Sequence, residues 1–152
     1  MMDFKQEVEQ HFKEAISRYQ MRVVPFDQSE VLLVGQDFSL SVSHDRESVE
    51  ICYIEPTTRG AFAFYRITNM LGMHRFLPND RKLFGNPSNT EEQVRASLRV
   101  ISSGLTNRCA DILSGNREWL NDLRKKDPAS WKGQPLDAML SAVLLPVLSR
   151  RS

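Results

Sequence analysis

Residues 37–54, with the sequence DFSLSVSHDRESVEICYI, decide the fold class of this chain. Apolar and polar residues alternate from Phe38 to His44 and again from Val49 to Tyr53, and the polar turn Asp45-Arg46-Glu47 separates the two runs. A period of two predicts β-strands, and two neighbouring runs predict antiparallel strands with one apolar and one polar face. The polar face is marked by Ser39, Ser41 and Ser43.

Two shorter apolar runs precede this pair of strands. Val31 to Val34 is apolar at every position, which favours a strand that is covered on both sides. Gly35-Gln36 then has the pattern of a two-residue type II′ hairpin turn. We therefore predict an antiparallel meander of four strands, formed by Val23–Phe26, Val31–Val34, Asp37–His44 and Ser48–Ile54.

Helical periodicity flanks the predicted sheet on both sides. A stripe at steps of three and four predicts a helix from Asp3, its N-cap, to about Gln20. A long helix is predicted from Thr90, whose T-E-E-Q pattern suits a capping box, to a stop at Gly115. A short helix is predicted from Asn116 to Lys126, and a last helix from Pro135 that Pro146 ends or kinks.

Two segments between the sheet and the long helix carry weaker signals. In Ala61 to Met73, Phe62 and Phe64 alternate as in a strand, whereas Ile67, Met70 and Leu71 are spaced as in a helix. We favour a short buried helix there and keep the strand as the alternative. Turn-forming residues dominate Leu77 to Asn89, so we predict a loop. Together these elements predict one α+β domain over residues 1–152, with the helices packed on one face of the sheet.

The composition is that of a single soluble domain. The chain has 152 residues, of which 41% are hydrophobic and 26% charged. Its net charge of +1 argues against a dedicated nucleic-acid binder. The longest apolar stretch, Leu136 to Leu148, is shorter than the ~20 residues of a membrane span, and the N-terminus lacks the apolar core of a secretory signal. We therefore expect a cytoplasmic protein, with Cys52 and Cys109 as reduced, packed thiols.

No motif in the sequence indicates a chemistry. The three histidines, His11, His44 and His74, do not have metal-ligand spacing, and no nucleophile elbow, phosphate loop or dinucleotide fingerprint occurs. We expect no catalytic residue, no metal and no cofactor. The alternative is a small enzyme whose site assembles from distant residues such as His44, Glu50 and His74.

Charge is distributed unevenly along the chain. Residues 1–56 contain 5 basic and 11 acidic residues, whereas residues 57–152 contain 15 basic and 8 acidic ones. The two halves either pair with each other inside one fold or form an acidic and a basic face. If an acidic face exists, it would steer a basic protein partner. The residues predicted to bind that partner are Glu30, Asp37, Asp45, Glu47 and Glu50.

The order of parts resembles a known class of proteins. An N-terminal amphipathic helix precedes a meander ending in Tyr53-Ile54-Glu55-Pro56, followed by the aromatic segment Tyr65-Arg66-Ile67 and a long helix ending in Cys109 to Asn116. This outline is similar to small bacterial immunity-type proteins that neutralise toxins of contact-dependent or polymorphic systems. The resemblance implies a cytoplasmic α+β protein that acts by binding, without catalysis or a cofactor. It carries over no functional residue.

A third reading concerns the last helix. Its apolar stripe ends close to Arg150 and Arg151 and most simply closes the core, but it would also serve as a dimer or partner contact. A homodimer formed through this helix would suit a chaperone for a secreted effector.

Overall fold

A single antiparallel sheet of six strands organises the part of the chain that the computed structural model describes, residues 2–57 and 60–148. The strands lie in the order β1-β2-β3-β4-β5-β6, so every strand pairs with its neighbours in sequence. The strands are β1 (Arg22–Asp27), β2 (Glu30–Val34), β3 (Ser39–Asp45), β4 (Ser48–Pro56), β5 (Phe62–Arg66) and β6 (Gln134–Pro135).

The α+β class and the antiparallel meander are confirmed, but the prediction of four strands is wrong. The segment 61–73, for which we favoured a helix, contains both a strand and a helix. Its first part forms β5, which pairs with the free edge of β4 so that Tyr65 lies opposite Tyr53. A helix follows it at Thr68–His74. The sixth strand, Gln134–Pro135, pairs with β5. It includes Pro135, which we expected to begin the last helix. This pairing joins segments 70 residues apart, which no local pattern predicts.

Eight helical segments flank the sheet among the described residues. The predicted N-terminal helix is divided at Phe12, and the predicted long helix ends at Arg108, before a short further turn. The predicted loop 77–89 contains a helix, and Pro146 lies inside the last helix without ending it. The helices are α1 (Phe4–His11), α2 (Lys13–Arg18), α3 (Thr68–His74), α4 (Pro78–Lys82), α5 (Thr90–Arg108), α6 (Ala110–Leu113), α7 (Glu118–Lys126) and α8 (Ala138–Leu148).

Local capping fixes several of these boundaries. Asp3 caps α1 as predicted, since its carboxylate accepts a hydrogen bond from the Gln6 amide. The cap of α5 is Asn89 and not Thr90, because the Asn89 side chain accepts from the Glu92 amide. The turn between β2 and β3 is closed by a 2.9 Å bond from the Gly35 amide to the Phe38 carbonyl, which leaves Gln36-Asp37 at its tip. The predicted two-residue turn at Gly35-Gln36 is therefore displaced by one residue.

The main core lies on one face of the sheet, which we call face one. The odd-numbered residues of β4, such as Ile51 and Tyr53, point to this face and pack against α1, α5 and α7. Val8, Leu98 and Trp119 are among the buried side chains that these helices contribute. Here the sheet is covered as the sequence predicts.

The opposite face, face two, is also partly covered. Leu32, Val34, Ile54 and Phe62 form a second cluster with three leucines of α8, which are Leu140, Leu144 and Leu148. The expectation that all helices pack on one face is therefore wrong, and Ser39 and Ser41, which we took to mark an open face, are buried. The reason is that β2 is apolar on both faces, as predicted, and its second face requires a partner. None of the helices in the described ranges is long and apolar enough to cross a bilayer.

Candidate functional site

The sheet register brings acidic residues together at one end of face two. Glu30 of β2 pairs with Ser43 of β3, and Ser43 pairs with Glu50 of β4. Paired residues point to the same face, so the two glutamates flank a serine across three strands. Two strand spacings of ~4.8 Å separate their backbones by about 10 Å.

Four of the five predicted acidic residues lie at this end. Asp45, the last residue of β3, and Glu47, in the turn that follows it, are both exposed near Glu50. Asp37 lies in the turn between β2 and β3, at the opposite end of these antiparallel strands, so the structure does not bring it to the others.

Two further acids, which we did not predict, join this end of the sheet. Asp27 pairs with Glu30 across the turn between β1 and β2, and Asp137 caps α8 by accepting from the Leu140 amide at 2.9 Å. Asp27 had a sequence signal, since it begins the turn directly before Glu30, whereas Asp137 is placed only by the tertiary structure. We call the resulting surface the acidic edge: Asp27, Glu30, Asp45, Glu47, Glu50 and Asp137.

A cavity of about 320 Å³ opens beside the acidic edge, between face two and the start of α8. Its polar lining includes Glu30, Glu50 and Asp137, with Arg66 as the cation. A water molecule occupies ~30 Å³ in the liquid, so the cavity has room for about ten waters or for an inserted side chain. Three carboxylates against one guanidinium favour a cationic occupant.

Glu30 is the acid at which burial has the clearest electrostatic effect. Burial raises the pKa of its carboxyl group, the hydrogen bond donated by Ser41 Oγ opposes that shift, and the negative charges of Asp27 and Asp137 reinforce it. No cation within ion-pair distance of Glu30 is present in the described ranges. A positively charged group brought into the cavity would therefore relieve an unfavourable charge.

The cavity does not provide an activated nucleophile. Burial, followed by the nearby charge of Glu50, raises the pKa of the Cys52 thiol to about 12. Catalytic cysteines need the opposite shift, because only the thiolate attacks. Cys109 is buried elsewhere, and burial raises its pKa to about 11.

The enzyme site that we considered from His44, Glu50 and His74 is not assembled. His44 pairs with Val49 and points to face one, where its ring lies 4.5 Å from that of Phe4. Glu50 points to face two, and His74 is exposed at the end of α3. The thickness of the sheet therefore separates His44 from Glu50. In the described ranges, no three His, Cys, Asp or Glu side chains are placed to hold a metal ion.

The oppositely charged halves of the sequence also pair inside the fold. Arg117 makes two hydrogen bonds to the buried Glu55 carboxylate, at 2.6 and 3.0 Å, and Tyr65 donates a third at 3.2 Å. Arg95 pairs with Glu7 at 3.1 Å. These carboxylates are used for stability, whereas the six acids of the acidic edge form no ion pair with a basic side chain in the described part of the chain.

The last helix uses its apolar stripe within the chain. Leu140, Leu144 and Leu148 are buried in the second cluster, which agrees with our expectation that this helix closes the core. Met139, at 71% exposure, and Leu145 remain outside. Arg150 and Arg151 lie beyond the described residues.

Comparison with known proteins adds no relative to this picture. No protein-family model, no curated protein and no solved structure matches the chain.

Proposed function

We propose that this chain is a non-enzymatic protein-binding domain that recognises a basic partner through the acidic edge. The strand register supports this function most directly. It places Glu30 of β2 and Glu50 of β4 on one face, with β3 between them, close to the exposed residues Asp45 and Glu47. A basic protein surface complements this arrangement. Opposite charges of this kind accelerate association and select the partner.

The cavity adds a means of specificity to the charge. A lysine or arginine of the partner that enters between Glu30 and Glu50 would meet carboxylates for which the described ranges provide no cationic partner at ion-pair distance. The exposed Met139 follows Asp137 by two residues and offers an apolar contact beside this entrance. Interfaces commonly combine a few such apolar anchors with a polar rim.

Within this class, we propose an immunity-type protein that neutralises a toxin by covering its basic surface. The order of parts that resembles such proteins supports this proposal, and a nuclease toxin, which has to bind phosphates, would present a surface of the required sign. A chaperone for a secreted effector is the second candidate. The exposed Met139 and Leu145 on α8 favour it only if they mediate a homodimer.

A charge-reversal experiment tests the acidic edge. Asp45→Lys/Glu47→Lys changes two exposed turn residues, so the fold should be retained while binding to a basic partner weakens. The matched control is Glu118→Lys/Asp122→Lys, which makes the same charge change at exposed positions of α7, on the other side of the sheet. Asp37→Lys tests the acid that lies at the opposite end of the strands.

The readout is capture of partners from host lysate at low and moderate salt, followed by binding kinetics with the purified partner. We expect one stoichiometric basic protein, bound by wild type, by the α7 control and by Asp37→Lys, with association at least about tenfold slower for the turn variant. Equal binding by the turn variant would refute the acidic edge. For an immunity function, co-expression must also abolish the partner's toxicity; failure to do so would refute that assignment.

A further inference from the structure

An open apolar groove lies on the other side of the molecule, where α3, α4 and α5 meet beside β4. Its volume is about 360 Å³. The walls are largely apolar, with Val49 from the sheet, Phe76 and Phe84 from the α3–α5 connection, and Val100 from α5. The groove belongs to face one, because Val49 does, whereas the acidic edge lies on face two. The two adjoin at Thr68, which lines the groove and donates a hydrogen bond to Glu50 of the acidic edge at 3.1 Å.

Exposed apolar side chains are concentrated next to this groove. Met73, Leu77, Leu83 and Phe84 are four of the six large apolar residues that are exposed in the described ranges, and all lie within one stretch of 12 residues. Met73 is 74% exposed. Single exposed apolar residues are ordinary, but a group beside a groove marks an interaction surface.

Gly72 keeps the groove open. It lies inside α3, and a Cβ atom built on it would meet no atom within 4 Å. Its φ is not positive, so the backbone does not require glycine here. Glycine in a helix is less favourable than alanine by ~1 kcal/mol. The residue is therefore unfavourable for the helix and gives no packing benefit, but any side chain in its place would project into the groove.

The rim of the groove is positively charged. Arg81 lines the groove and Lys82 follows it on α4; both are exposed, and neither forms an ion pair within the described part of the chain. Arg81 is held at the groove by a hydrogen bond that it donates to the backbone carbonyl oxygen of Gly72. Asp80, which adjoins Arg81 in sequence, is buried and accepts from Ser103 and Arg108. An occupant that complements this rim is acidic.

We propose that this groove binds an acidic amphipathic helix of a second partner protein. The walls of the groove come from α3, α5 and the segment between them, together with Val49 of β4. An amphipathic helix commonly lays its apolar face into such a groove, and it satisfies its own backbone hydrogen bonds. Its apolar residues, spaced three or four apart, enter beside Phe76 and Phe84, and its carboxylates face Arg81 and Lys82. The charge of this partner is opposite to that of the partner proposed for the acidic edge, so one chain can link two proteins.

The test is a selection of peptides from a random display library against the purified wild-type protein. Peptides of about 15 residues are used, because shorter isolated helices are rarely stable. Enriched peptides are then synthesised and titrated against three variants. Gly72→Leu fills the groove, Arg81→Glu/Lys82→Glu reverses the rim, and Lys125→Glu/Lys126→Glu makes the same charge change at the exposed end of α7.

We expect acidic peptides with apolar residues at helical spacing, whose binding weakens at least about tenfold, or 1.4 kcal/mol, for the first two variants and not for the third. Circular dichroism and the urea midpoint establish that each variant is folded. Gly72→Ala, which leaves most of the groove open, should retain binding.

Four outcomes would overturn the proposal. Peptides that bind Gly72→Leu as tightly as wild type would place the site elsewhere, and a selection that yields no peptide distinguishing these two proteins would refute the groove as a binding site. A dimer in sedimentation that Gly72→Leu dissociates would make a second copy of this chain the occupant. Basic peptides that are lost only with Asp45→Lys/Glu47→Lys would support the acidic edge while contradicting the groove, so the two proposals can fail separately.

Discussion

Replacing Gly104 by alanine tests how the α3–α4 region is held against α5. A Cβ atom at this position of α5 would lie 2.1 Å from Cε1 and 2.2 Å from Cδ1 of Phe76. Carbon atoms in contact prefer ~3.5–4.0 Å, so the Phe76 ring would have to move. That ring is buried and forms a wall of the apolar groove. The substitution therefore disturbs the packing of this region without removing any existing contact.

The magnitude follows from two opposing effects. Inserting a carbon atom into packed surroundings costs ~1–3 kcal/mol, whereas glycine to alanine in a helix interior contributes ~0.8–1 kcal/mol of stability. The two effects leave a net loss of ~0–2 kcal/mol, and the 2.1 Å approach places Gly104→Ala in the upper half of that range, so we expect it to lower the free energy of unfolding by about 1–2 kcal/mol. Gly72→Ala is the matched control, because its Cβ meets no atom within 4 Å. Only the higher helix propensity of alanine applies there, so we expect the free energy of unfolding to rise by up to ~1 kcal/mol.

Urea denaturation followed by far-UV circular dichroism measures both variants. For a chain of this size, 1 kcal/mol shifts Tm by ~2–4 °C, which thermal melts resolve. A third variant identifies the obstructing ring, since Phe76→Leu should reduce the additional loss caused by Gly104→Ala. The packing described here would be refuted if Gly104→Ala were as stable as wild type, or if its loss were unchanged in the Phe76→Leu background.

Three further predictions address charge and the second core. Burial raises the pKa of Glu30 in the folded state, so its ionised form opposes folding at neutral pH. Glu30→Gln should therefore have a higher urea midpoint than wild type at pH 7, and this difference should vanish in acid, where the carboxyl group of wild type is protonated. The control Glu47→Gln changes an exposed residue and should leave the urea midpoint unchanged. The hydrogen bonds from Arg75 lower the pKa of Asp111. A double-mutant cycle at pH 7 should give a coupling energy of about 1 kcal/mol between the two residues. This coupling should be lost as the pH falls through the lowered pKa, and an unchanged coupling in acid would contradict the ion pair. Leu144→Ala should cost ~2–5 kcal/mol, because Leu144 is fully buried on face two, and a loss below 1 kcal/mol in the same urea assay would contradict that placement of α8.

The sequence predicts the centre of the sheet because its signals there are local. Alternation from Phe38 to His44 and from Val49 to Tyr53 is a property of neighbouring residues, and the observed strands β3 and β4 pair across the Asp45–Glu47 turn as expected. The continuous apolar run Val31 to Val34 also indicated a strand covered on both faces, and all four residues are buried. A strand pattern of this kind depends on which side chains can share a face, which is fixed by spacing alone.

The elements that the sequence did not predict depend on distant partners. Phe62 to Arg66 has an ambiguous pattern, and the free edge of β4 decides that it forms a strand. Pro135 suits the start of a helix, yet pairing with Ala63 places it in the sheet. Local propensity is weak compared with the hydrogen bonds and burial that a neighbouring strand supplies.

The candidate site divides in the same way. The sequence by itself determined that this chain has an acidic first half and a strand pair carrying Asp45, Glu47 and Glu50 near one turn. Only the tertiary structure decided that Glu30 joins them, that Asp37 lies at the other end, and that Asp137 arrives with α8. Antiparallel pairing reverses the chain direction at each turn, so residues close in sequence can lie at opposite ends of the sheet. Hydrophobic burial of Leu140 and Leu144 on face two brings the distant Asp137 beside the acids, because the apolar second face of β2 had to be covered.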